Sequence, residues 1–213
     1  MTGGRLTKKL PTSRLWPAFL GCNLFSWPGT GLAHSAFEGV GSFYGGVLHP
    51  AGVPAHLLAL LAVGLFVGQR GWDYTVRALR FFIFSCIGGL ALVWAGVEMP
   101  VVLPILAGAA VLGVLVAVGF GVPAQAGLAL VCCIGFLIAA DSAPAESLAA
   151  ARLAALAGTA LGASAVFIWV SAPVSMLRRP WQHIAVRAAG SWVGASALLV
   201  LALATTGRPA VGF

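Results

Sequence analysis

Residues 49–64 read HPAGVPAHLLALLAVG. Two histidines stand seven positions apart, with two prolines and a glycine between or beside them and an apolar run behind. Pro54 suits the first turn of a helix, where its missing N–H costs nothing, so a helix is expected from Pro54 to Gly68, with His56 in its first turn and His49 in the loop before it. Those 15 residues reach about 22 Å at about 1.5 Å each, short of a hydrocarbon core of about 30 Å. The HPAGV segment, with FEGVGSFYGGVL before it, is therefore expected to complete the crossing as irregular or re-entrant backbone. Such backbone is tolerated in a membrane only where protein or water covers it, which implies a pocket on the outer side.

The rest of the chain is built of the same material. Of 213 residues, 60% are hydrophobic and 8% charged, against about 25% charged in soluble domains. The fold class is an all-α integral membrane protein, with six transmembrane helices expected near 54–68, 79–97, 101–119, 122–140, 148–174 and 186–205. No room remains for a soluble domain. The net charge of +7 is no sign of a nucleic-acid partner once the charges are placed. Arg5, Lys8, Lys9 and Arg14 precede the first apolar stretch, Arg70, Arg77 and Arg80 fall in the first loop, and Arg178, Arg179 and Arg187 in the fifth. Glu98 marks the second loop, and Asp141 with Glu146 the fourth. By the positive-inside rule this alternation is what six antiparallel spans with the mature N- and C-termini on the outer side would produce.

Residues 1–33 combine a basic start, the moderately apolar LWPAFLGCNLFSW and the small-residue exit GTGLA, the pattern of a secretory signal peptide. Cleavage after Ala33 would leave a single six-helix membrane domain, 34–213, whereas Gly21, Asn23, Pro28 and Gly29 interrupt the apolar centre and keep an uncleaved anchor as the alternative. A new N-terminus at His34 would offer an α-amine and an imidazole together, with Glu38 four residues on and on the same face of any local helix.

On this topology three of four histidines (His34, His49, His56) and four of five carboxylates (Glu38, Glu98, Asp141, Glu146) fall on the outer side. His183 falls at the inner interface. Neutral imidazole is the form that binds metal, but the positive end of the helix dipole opposes a bound cation. A site at His56 therefore needs a carboxylate nearby, and Ala55 supplies none. The plainer reading has His49 bonded to a loop carbonyl and His56 packed at the interface. A mixed imidazole and carboxylate set would take Ni²⁺, Co²⁺, Zn²⁺ or Cu²⁺. Cys86, Cys132 and Cys133 lie inside apolar spans, where free cysteine acts as a small hydrophobe. Gly158-x-x-x-Gly162 and Gly190-x-x-x-Gly194 read as close helix packing within the chain. No nucleophile stands with a base in the spans, so neither an enzyme nor an organic cofactor is expected.

The order of these residues resembles the HupE/UreJ family of bacterial membrane proteins over roughly residues 34–205. The family's first-helix motif, His-Pro-x-x-Gly-x-Asp-His-Leu-Leu-Ala-Met, appears here as His49-Pro50-Ala51-Gly52-Val53-Pro54-Ala55-His56-Leu57-Leu58-Ala59-Leu60. Val97-Glu98 matches the Val-Glu before span three. A second motif, Phe-His-x-x-Ala-His-Gly-x-Glu, falls on Ile138 to Glu146, with its histidines on Ala139 and Ala143 and only Glu146 kept. The resemblance implies an accessory protein of hydrogenase or urease systems that acts as a nickel or cobalt permease, with His49 and His56 as first ligands and Glu98 and Glu146 as compensating charge. The departures leave two readings: a metal-binding protein or permease, or a non-transporting accessory subunit that keeps the fold. Expected partners are the lipid bilayer and other membrane or metalloenzyme-maturation proteins.

Overall fold

The computed structural model describes residues 41–144, 146 and 148–206. Among them the chain forms seven α-helices and no strand: α1 Ser42–Gly52, α2 Pro54–Gly68, α3 Trp72–Trp94, α4 Val102–Val118, α5 Ala124–Ala140, α6 Ala149–Ser175 and α7 Pro180–Thr205. The expected leader, 1–33, lies outside the described residues. Three helices, α3, α6 and α7, are long and apolar enough to cross a membrane, and α1 with α2 makes a fourth candidate when counted as one bent span. The apolar α4 and α5 are shorter, at 17 residues each.

Two expectations need correcting. The segment before α2 is not irregular: it is helix α1, and His49 lies in its last turn rather than in a loop. The chain breaks only at Val53, which is extended (φ −91°, ψ 115°) because a following proline disfavours the helical region for the residue before it. Val53 still donates to the His49 carbonyl (3.1 Å) and Leu57 to that of Val53 (3.0 Å), so the two helices join through a hydrogen-bonded bend of 70°. The second correction concerns the basic loops. α3 starts at Trp72 and α7 at Pro180, so Arg77, Arg80, His183 and Arg187 sit on helices. Pro180 occupies the first turn of α7, and the Gln182 side chain accepts from the Arg179 N–H at 2.9 Å, which starts the helix before its apolar stretch begins.

Lipid tails provide no hydrophobic force between helices, so close packing has to hold the bundle. Glycine supplies it. A Cβ at Gly158 would strike the Phe43 carbonyl and one at Gly162 the Val47 carbonyl, so this glycine pair seats α1 on α6. Gly113 meets Gly190 and Gly194 in the same way between α4 and α7. α2 is apolar on all sides after His56 and almost wholly buried from Ala59 to Gly68, as expected of a helix enclosed by others. Outward-facing Trp169 and Trp192 are 82% and 78% exposed, which marks the faces of α6 and α7 turned away from the core.

Candidate metal-binding site

In a straight helix seven residues advance about 10.5 Å along the axis, which would hold His49 and His56 two turns apart. The bend at Val53 cancels that separation. Their ring centroids stand 5.4 Å apart with planes at 70°. Pro54 thus does two things, ending α1 through Val53 and starting α2 with His56 as its third residue.

His56 is fully buried, and its Nε2 lies 2.9 Å from Oδ2 of Asp141, a side chain 21% exposed. Against an ionised carboxylate, which only accepts, Nε2 would be the nitrogen that carries the hydrogen and donates it. Nδ1 is then an acceptor, buried and without a hydrogen-bond partner among the described residues. Asp141 caps the C-terminus of α5, and the buried neighbour Ser142 fixes that end by donating to the Ile138 carbonyl at 2.7 Å.

The pair is recessed. Gly89 of α3 packs against the Phe136 carbonyl and Ala139 near the end of α5, but α3 continues to Trp94, about 7.5 Å further at 1.5 Å per residue. Above that level Arg152 of α6 donates to the Val93 carbonyl and lies 5.7 Å from the Trp94 ring. Asp141 lies two residues past Ala139 at the end of α5, so it sits less than a turn below the end of α3.

Glu98 lies exposed in the α3–α4 connection and Glu146 partly exposed in the α5–α6 connection, at the same end of the bundle. His34 and Glu38 fall outside the described residues. Among the described residues no group of three or more His, Cys, Asp or Glu side chains is placed to hold a metal ion. The carboxylate that reaches His56 is the one the sequence reading did not assign to the site. One signal could have found it: a carboxylate at a helix C-terminus faces the negative end of the dipole, so Asp141 needs a compensating partner.

At the opposite end the cations serve the fold. The Arg187 guanidinium donates to the Ala117 and Val118 carbonyls (2.8 and 3.1 Å), closing the C-terminus of α4. The Gln69 side chain donates to the Val116 carbonyl at 3.3 Å. Arg70 lies over the rings of Phe66 and Tyr74, 4.1 and 5.0 Å from their centroids, while the Tyr74 hydroxyl donates to the Ala124 carbonyl.

The family model described as HupE / UreJ protein matches residues 22–200. Comparison with curated proteins and with solved structures gives no match.

Proposed function

The chain belongs to the HupE/UreJ family, and from that premise we propose that it is a membrane protein that binds a divalent transition metal ion and passes it through the bundle. The observation that supports this reading most is the meeting of the His49 and His56 rings at 5.4 Å across the break that proline builds between α1 and the buried α2. Two imidazoles beside a carboxylate suit a borderline divalent cation, which these ligand types alone do not distinguish among nickel, cobalt, zinc and copper; the family favours nickel and cobalt. His49 and His56 are the first ligands in this reading. Glu98 and Glu146 add negative charge at the mouth, and His34 and Glu38 join the set once the leader is removed.

In the same reading the bent α1–α2 pair is the first of six spans. The 17-residue α4 and α5 fall at the short end of the range of about 17–25 residues that cross a bilayer. The Arg70, Arg178 and Arg187 end faces the cytoplasm, and the histidine end opens to the periplasm of a bacterial inner membrane.

Nickel, cobalt, zinc and copper uptake by cells producing the wild type or the His49→Ala/His56→Ala double variant tests this. Uptake above background for the wild type alone is expected; equal uptake for nickel, cobalt, zinc and copper would sink the proposal. A second reading, a non-transporting accessory subunit, draws support from Ala55, Ala139 and Ala143 standing where the family motifs have an aspartate and two histidines. It expects purified protein to carry no stoichiometric metal yet to bring down a specific membrane or maturation partner.

A further inference from the structure

We propose that Asp141 is the positioning residue of this site: it holds His56 with the hydrogen on Nε2, so that the Nδ1 lone pair faces the metal, and so replaces the carboxylate missing at position 55. The inference rests on the metal-binding reading above and deepens it.

Three observations support it. The Nε2 to Oδ2 distance of 2.9 Å is that of a full hydrogen bond, and a carboxylate can only be its acceptor. His56 is wholly buried and its Nδ1 has no partner among the described residues, although buried polar atoms are almost always paired. A second imidazole, that of His49, already stands against the same ring. Metal-bound histidines commonly donate their other ring N–H to a carboxylate, which fixes tautomer and ring orientation. Here that carboxylate arrives from the end of α5, 85 residues along the chain, instead of from the residue beside His56. Glu98 and Glu146, the carboxylates named by the family motifs, lie in connections rather than on the ring.

An asparagine at 141 separates positioning from bulk. Its amide has nearly the same shape but can donate to Nε2 as well as accept from it, so the hydrogen is no longer fixed on Nε2 and the Nδ1–H form becomes populated. A glutamate keeps an acceptor-only group.

The test uses the full chain purified in detergent, with Co²⁺ as the probe. Equilibrium dialysis reads affinity, and ¹⁵N-histidine NMR of the metal-free protein reads the tautomer, the His56 signal being the one lost in His56→Ala. We expect the Nε2–H form in the wild type. Asp141→Asn should populate the Nδ1–H form and weaken Co²⁺ binding roughly ten- to a hundredfold; Asp141→Glu should restore both. A wild-type Nδ1–H tautomer, or wild-type cobalt affinity in both Asp141→Asn and Asp141→Ala, would overturn the inference while leaving the metal site intact, provided His56→Ala abolishes binding. If the wild type binds no cobalt, or His49→Ala and His56→Ala bind it unchanged, the metal-site reading fails and this inference with it.

Discussion

Residues 42–68 and 149–175 cover equal lengths of chain and pack side by side, yet α6 runs unbroken while the other stretch is folded by 70°. The two buried hydroxyl residues of α6 are satisfied within the helix: Thr159 donates to the Ala155 carbonyl at 3.1 Å and Ser171 to the Phe167 carbonyl at 2.7 Å. His56, in the first turn after the break, finds its partner on another helix. A continuous helix can settle its polar groups locally and serve as a wall. A broken one brings side chains from two segments together and needs a third segment to complete them, which is where a binding site can form.

Removing the wall should have the largest effect. Gly158→Leu or Gly162→Val places side-chain atoms where α1 backbone lies, and overpacking of this kind costs about 1–3 kcal/mol or more. Thermal unfolding in detergent should show the loss, and cobalt binding should disappear as α1 leaves α6. His56→Ala comes next. It leaves Asp141 without its ring partner in a partly buried setting, at about 1–3 kcal/mol for an unpaired group, and abolishes metal binding. Pro54→Ala sharpens the comparison most directly, because it removes the restriction that keeps Val53 extended. Stability should fall by only about 0.4–1 kcal/mol, whereas the histidine rings should separate and cobalt affinity should fall with helical content unchanged by circular dichroism. Arg187→Ala, at the far end, removes a cation from the C-terminus of α4 and should cost about 0.3–1 kcal/mol with metal affinity unaltered.

Most of the helical frame was legible, because a buried apolar run leaves few alternatives in lipid. α2, α4, α5 and α6 fall where the apolar stretches put them. The starts of α3 and α7 were hidden by polar residues in their first two to three turns, with Arg77 and Arg80 in one and His183 and Arg187 in the other. Hydropathy reads these as loops, although long side chains can carry their charges out to the interface while the backbone stays helical. α1 was hidden by Pro50 and the run of glycines around it, residues that weaken a helix locally and are offset here by its seat on Gly158 and Gly162. The site was legible only in part. The two histidines and their proline frame are contiguous in sequence, and the short reach of α2 pointed to a structural peculiarity before it. The place of Asp141 at a helix C-terminus signals that it needs a partner but not that the partner is His56, because that depends on how α5 ends against α2, and nothing within a few residues of either His56 or Asp141 encodes that meeting.

Elemental analysis of the full-length protein, purified after growth with nickel and cobalt and compared with the His49→Ala/His56→Ala double variant, tests the central claim most directly. The account expects close to one divalent transition metal ion per wild-type chain and none in a double variant that elutes and unfolds like a folded protein. Equal metal content in the two, or none in either, would contradict it.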